Sequence, residues 1–252
     1  MIDLLVLCYH GVSHDWESPL SVTPKRLEQH LGALCGRGYR GATFSDAVTR
    51  PVTGRTLVVT FDDAYRSVRE LALPILQRLG LPGSIYAPTS FIGTGRPMSW
   101  PGIEQWLGGP HEHELEPVDW SELADLQGVG WEVGAHTVSH ARLTELDDIE
   151  LARELAESKA GCEDHLGVPC RSIAYPYGAV DDRVERAAAA AGYRCAAALP
   201  RRLHAPRPLE WPRIGMYEGD RPWRFRLKTS PSGRRIRASG ANAVAARGRR
   251  HN

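Results

Sequence analysis

The chain has 252 residues, 42% of them hydrophobic, and its 31 Lys and Arg against 30 Asp and Glu leave a formal charge of +1. That length and apolar content support one sizeable core, exclude wholesale disorder, and include no run near the ~20 uninterrupted apolar residues of a membrane span. The balanced charge is an average over two unlike parts: from Arg221 onward there are ten Lys or Arg and no acid, so the first 220 residues carry 21 basic against 30 acidic groups.

Strand and helix signals alternate over most of the body, the signature of a parallel α/β architecture. Leu4 to Tyr9 reads as a strand; with no basic n-region and no small-residue cleavage site before Tyr9 and His10, it is not expected to be a signal peptide. Thr23 caps and Pro24 opens a helix to about Gly36, with Leu27, Leu31 and Leu34 on one face. Thr56 to Phe61 is a second strand. The helix after it, about Ser67 to Leu79, contains Pro74, which predicts a kink, and Gly80 ends it before strand Ser84 to Ala87. Residues 93–118, rich in Gly and Pro yet carrying Trp100 and Trp106, read as a long surface loop with a functional or covering role. Alternation resumes with a helix from about Ser121, strand Trp131 to Ala135, helix Asp148 to about His165, strand Ser172 to Tyr175, helix Asp181 to Ala191 and strand Tyr193 to Leu199. This many βα units in one body favours a barrel over an open sheet. After a domain spanning residues 1–230, the Gly, Ser, Ala and Arg of 231–252 read as a disordered basic tail with no specific nucleic-acid signal.

Polar residues fall where these strands end. Asp62 and Asp63 follow Thr56 to Phe61, His136 follows Trp131 to Ala135 with His140 four residues on, His10 follows Leu4 to Tyr9, and Pro176-Tyr177-Gly178 follows Ser172 to Tyr175. The C-terminal strand ends of α/β folds gather on one face, so the four sets are expected to converge. His136 and His140 are one helical turn apart and can face one metal ion, although the same spacing occurs on solvated helix faces. Two adjacent carboxylates after a buried strand need positive compensation, which a divalent cation shared with the histidines supplies; a helix N-cap with a first-turn acid also fits the pair. Two histidines and one Asp leave coordination positions open, a catalytic rather than a structural pattern.

Thr60-Phe61-Asp62-Asp63, His136-Thr137-Val138-Ser139-His140 and Arg171-Ser172-Ile173-Ala174-Tyr175-Pro176-Tyr177-Gly178 resemble the first three motifs of the carbohydrate esterase family 4 polysaccharide deacetylases, the NodB homology domain. The likeness extends over Glu132-Val133-Gly134-Ala135 and Arg142-Leu143-Thr144 and covers roughly residues 1–230. It implies a distorted, incomplete (β/α) barrel of about seven parallel strands. It also implies that Asp63, His136 and His140 bind one divalent metal, Zn2+ first and Co2+ or Ni2+ as alternatives. Asp62 becomes the general base, the backbone N–H of Tyr177 a donor to the oxyanion, Arg171 the residue that orients Asp62, and Pro176 a neighbour of the substrate.

Cys8-Tyr9-His10-Gly11-Val12 is similar to the Tyr-His-x-Val start of a circularly permuted branch of that family, which makes His10 the general acid. Past Gly178 only His204 and His251 are available, and neither follows a convincing strand. Trp211-Pro212-Arg213-Ile214 resembles a late segment of the same branch that lines the site or closes the barrel. Trp100 and Trp106 offer aromatic faces to sugar rings, with covering the core as their alternative use, and Trp100 and Trp211 are the tryptophans expected at the substrate. The implied activity is hydrolysis of N-acetyl groups on an N-acetylhexosamine-containing carbohydrate, releasing acetate. A noncatalytic carbohydrate-binding relative and a deacetylase of an O-acetyl ester or another small amide are the alternatives. Five widely spaced cysteines without a Cys-x-x-Cys pair indicate neither a disulfide framework nor a zinc ribbon, and a cytoplasmic location is expected.

Overall fold

The computed structural model describes residues 2–200 and 203–239. In chain order its strands are β1 (Asp3–Tyr9), β2 (Gly11–Val12), β3 (Ser21–Val22), β4 (Arg40–Gly41), β5 (Arg55–Phe61), β6 (Ser84–Ala87), β7 (Glu132–Ala135), β8 (Ser172–Ala174), β9 (Cys195–Ala198), β10 (Trp211–Pro212) and β11 (Ile214–Gly215). The helices are α1 (Pro24–Cys35), α2 (Phe44–Thr49), α3 (Leu73–Arg78), α4 (Trp120–Gly128), α5 (Asp148–Leu166), α6 (Asp182–Ala190), α7 (Pro222–Thr229) and α8 (Pro231–Ser239). None of the described helices is long and apolar enough to cross a membrane. The kink expected at Pro74 takes a specific form. Proline has no N–H to give, and the turn before α3, Val68–Ala72, is π-helical, with the Leu73 N–H reaching back to Val68.

The main sheet runs β10-β9-β8-β7-β6-β5-β1-β11 with every pairing parallel, and β4 adds to β5. Eight strands along this path curl into a nearly closed barrel with helices outside. The two edge strands are halves of one segment, 211–215. Its first half pairs with β9 and its second with β1, and only Arg213 lies between them. The seam is therefore spanned by one residue and not sealed by a strand ladder.

Strand alternation sorts side chains into two populations. Val6, Val58, Tyr86, Ala174, Cys195 and Ala197 form the barrel interior, closed at the bottom by Phe44 and Ala47 of α2. Leu5, Leu7, Tyr9, Leu57, Val59 and Phe61 point the other way and pack with Leu27, Leu31 and Leu34 of α1. Gly134 sits where the interior is narrowest: a Cβ there would lie 2.6 Å from the Tyr86 ring and 2.8 Å from Ser172 Oγ.

Beyond β11 the structure departs from the sequence reading. Residues 231–239, expected to be disordered, form α8, and Arg234 ties it to the start of β1 through Asp3 (2.6 Å) and the Leu4 carbonyl (3.3 Å). The rest of the predicted tail, 240–252, lies outside the described residues. Helix α7 is anchored by Phe225, whose ring stacks on His30 of α1 with centroids 4.0 Å apart. Burial lowers the His30 pKa from 6.5 to about 4, and its Nδ1 shares a hydrogen bond with Tyr9 Oη at 3.2 Å. The unfolded chain therefore takes up this proton first on acidification, so the contribution is intact above about pH 6.5 and declines toward pH 4. Urea unfolding across that range should show His30→Phe losing stability less steeply than wild type; parallel slopes would contradict the assignment.

Candidate active site

Register places two of the site groups side by side. Cys8 pairs with Thr60 and Tyr9 with Phe61, so the next step opposes His10 and Asp62, both on the inward parity of their strands. Ligand-type atoms of Cys8, His10 and Asp62 lie within 4.8 Å of one another, as do those of Asp63, His136 and His140. A cleft of about 460 Å³ at the C-terminal mouth of the barrel is lined by His10, Asp62, Asp63, His136, His140 and Tyr177, together with Arg142 and Tyr217. The convergence expected from the strand ends is present.

Asp63 Oδ1 stands 3.2 Å from Nε2 of both His136 and His140, and all three side chains are buried. His136 Nδ1 faces the Ala174 carbonyl at 2.7 Å, and a carbonyl only accepts, so this nitrogen carries a proton and Nε2 is the ring atom turned to Asp63. Burial lowers the His136 pKa, but the hydrogen bond and charge of Asp63 and the charge of Asp62 raise it overall as long as no cation lies between them. Burial lowers the His140 pKa and favours the neutral ring that a metal ligand requires. Asp63 Oδ1 has no hydrogen-bond partner of acceptable geometry despite its burial. An orphaned carboxylate oxygen facing two imidazole nitrogens fits a divalent cation, and the mixed N and O donor set fits Zn2+ among others.

Asp62 is compensated differently. Arg213 grips it with two parallel bonds, Nη1 to Oδ1 at 2.6 Å and Nη2 to Oδ2 at 2.8 Å, and also reaches Thr60 Oγ1 at 2.9 Å. The guanidinium is wholly buried over the Tyr86 ring. Burial pushes the Asp62 carboxyl up, but the charge and hydrogen bonds of Arg213, with His136 and His10 adding to them, bring it down to about 2. The Cys8 thiol lies 3.4 Å from Oδ2. His10 is half-buried and its Nδ1 has no partner. Burial, with Cys8 and Asp62 nearby, pushes the Tyr217 hydroxyl up to about 12.

The backbone is strained where these groups meet. Among the described residues the non-glycine positions with positive φ are Asp63, Ala64, Thr137, His140 and Tyr177, all in the three site segments. Each such conformation costs on the order of 1–3 kcal/mol and persists only where surrounding contacts impose it. One such contact comes from α5: buried Glu154 accepts from the Val138 N–H (2.7 Å), the Ser139 N–H (3.0 Å) and Ser139 Oγ (2.7 Å), pinning the turn between the histidines. That turn is not helical, so the histidines converge through left-handed residues and not through a helical face. Asp62 and Asp63 likewise do not cap a helix.

A sequence profile of the polysaccharide deacetylases matches residues 49–196. The chain belongs to the polysaccharide deacetylase family. YxkH of Bacillus subtilis (strain 168), named for the same family, is 26% identical over 196 residues, covering 76% of this chain and 62% of its own length. A poly-beta-1,6-N-acetyl-D-glucosamine N-deacetylase of Staphylococcus aureus (strain MSSA476) is 26% identical over 137 residues, covering 51% of this chain and 42% of its own. The chain thus spans less than two thirds of the length of these curated relatives. The Streptococcus pyogenes deacetylase PplD, solved in complex with acetate, shares the fold with a TM-score of 0.75 at 18% identity, over 90% of this chain and 98% of its own.

Not every expected residue reaches the cleft. Arg171 does not orient Asp62: it precedes β8, so it sits at the opposite end of the barrel with its side chain exposed, and Arg213 occupies the role. Trp100 does line the cleft, but it is 5% exposed and one face of its ring is taken up by His140, with centroids 3.9 Å apart. Trp106 packs edge-on against Trp16, as core cover. Trp211 lies on the seam at the N-terminal half of the closing segment and packs against the barrel interior, outside the cleft. Pro176 is buried beneath the cleft wall, where it sets the backbone before left-handed Tyr177. Tyr177 itself is 39% exposed, with Arg142 over its ring at 4.2 Å. His204 pairs with Glu210 at 3.1 Å, away from the cleft, and His251 lies outside the described residues. Glu154 and Tyr217 were not foreseen.

Arg213→Leu should destabilise the fold by about 3–5 kcal/mol at neutral pH, since it leaves Asp62 buried and uncompensated. With the guanidinium gone, the upward push of burial is opposed only by the weaker pull of His136 and His10, so the Asp62 carboxyl rises and the deficit should shrink on acidification as the acid becomes neutral. Chemical denaturation of both proteins at neutral and acid pH measures this, and a deficit independent of pH would refute it.

Proposed function

We propose that this family member is a metal-dependent hydrolase that removes N-acetyl groups from an N-acetylhexosamine-containing saccharide and releases acetate. The observation that carries the reading is the meeting, in one cleft, of the Asp63-His136-His140 acceptor cluster with an arginine-clamped carboxylate and an unpartnered histidine nitrogen. The family and the name of the Staphylococcus aureus relative support an N-acetylglucosamine substrate.

Asp63, His136 and His140 would hold the cation, which supplies Lewis-acid polarisation of the amide carbonyl and a lowered pKa for water. Asp62 stays ionised because of Arg213, and the clamp uses one lone pair on each oxygen, leaving acceptor capacity for a proton from the attacking water. The clamp also fixes the orientation of the carboxylate, which removes a rotational freedom the reaction would otherwise have to restrict. His10, beside Asp62 at the next register step, donates a proton to the departing nitrogen, which cannot leave as an amide anion. The Tyr177 N–H, presented by its left-handed backbone, donates to the oxygen that gains charge. His10 directly follows β1, the first strand of the chain, which supports a circularly permuted order of the family's motifs.

Acetate release from N-acetylglucosamine oligomers, compared with O-acetylated sugars and small amides, should favour the N-acetyl oligomers, stop with chelator and return with Zn2+. His10→Ala should abolish turnover with metal content unchanged. Activity indifferent to chelation would sink the metal mechanism, and metal lost along with His10 would move that residue from acid to ligand.

A further inference from the structure

Helix α7 has two opposed faces. Phe225 and Thr229 are buried, and Phe225 stacks on His30. At 3.6 residues per turn, Trp223 and Leu227 each fall within about 20° of the direction opposite Phe225, while Arg224 and Arg226 lie about 100° to either side of it. Trp223 is 63% and Leu227 51% exposed, so the most solvent-facing line of the helix is an aromatic and an aliphatic side chain one turn apart, flanked on both sides by arginines. Such side chains ordinarily belong inside.

The charge carried by α7 and α8 themselves has one sign, and the nearest acid in sequence, Asp220, is buried and paired with Lys228. Arg221, Arg224, Arg226 and Arg235 make no ion pair with the described residues, and the sequence from Arg221 onward contains no Asp or Glu. The body it is attached to is acidic, so this positive field is confined to one part of the molecule.

We infer that α7 is a peripheral docking surface for anionic phospholipid, with Trp223 and Leu227 entering the headgroup boundary and the flanking arginines meeting lipid phosphates. An apolar ridge with an aromatic at its crest and cations along both flanks matches a membrane interface in polarity and charge. A nucleic acid would engage the arginines but leaves Leu227 without a partner, since its recognition rests on phosphate contact and aromatic stacking. The surface lies outside the cleft and contains none of the residues assigned to chemistry, so docking and hydrolysis are separable. The inference does not depend on the substrate proposed above.

The test is co-sedimentation of the full chain with vesicles of phosphatidylcholine alone and of phosphatidylcholine mixed with phosphatidylglycerol. Binding is expected to the anionic vesicles only and to weaken with salt. Trp223→Ala with Leu227→Ala, and separately Arg224→Glu with Arg226→Glu, should each reduce it at least about tenfold. Circular dichroism and activity on soluble substrate should match wild type in both variants. No binding to anionic vesicles, equal binding to neutral ones, or wild-type binding by either double variant would overturn the inference. So would binding to duplex DNA or RNA in place of vesicles.

Discussion

The buried pair between Arg213 and Asp62 is the constraint on which the rest of the site depends. Arg213 is the one residue between the two edge strands, so the position that spans the seam of the barrel also supplies the charge that meets Asp62 in a two-pronged hydrogen bond. Two charges taken out of water are stable together only when geometry is good and their remaining hydrogen-bonding groups are satisfied. Thr60 meets that need on the arginine side. Closure of the barrel and compensation of the buried carboxylate are thereby coupled: the guanidinium reaches Asp62 with residues 211–215 lying along both edges of the sheet.

Adjacent carboxylates then follow different chemistry. Asp62 continues the inward parity of β5 and meets an arginine, which holds a charge without demanding a ligand. Asp63 turns into left-handed backbone and meets two imidazole nitrogens, which satisfy it only around a shared cation or an extra proton. The left-handed residues cluster in the three segments that must bring side chains from separate strands to one point. Hydrogen bonds such as those of Glu154 keep that backbone in place. Strain of this sort is tolerated where the scaffold over-determines the conformation, and a parallel barrel with a packed interior supplies that rigidity.

Charge on the molecule is divided on a larger scale as well. The formal +1 joins an acidic body to a C-terminal run without acids, and the structure shows the described part of that run as two helices packed on the barrel wall. One face of α7 belongs to the core through Phe225 and His30, and the opposite face is apolar and cationic together. Composition alone hides this, because averaging over the chain removes both the sign and the sidedness of the surface.

Local pattern carried much of the molecule. Alternation of strand and helix signals, and polar residues placed directly after apolar strands, were enough to bring His10, Asp62, Asp63, His136, His140 and Tyr177 into one cleft, because parallel strands present their C-terminal ends on one side. Partners across the fold were not legible in the same way. Arg171 stood beside a site motif in sequence yet faces away, whereas Arg213, 151 residues from Asp62, holds it, a choice that depends on which strands become edges and how the seam is spanned. Trp100 reaches the cleft but gives one face to His140, and nothing in the local pattern of α5 marks Glu154, whose carboxylate meets the histidine turn. Periodicity specifies which way a side chain points from its own element. Only the closed sheet specifies what it meets there, since that is set by register and crossover between elements far apart in the chain.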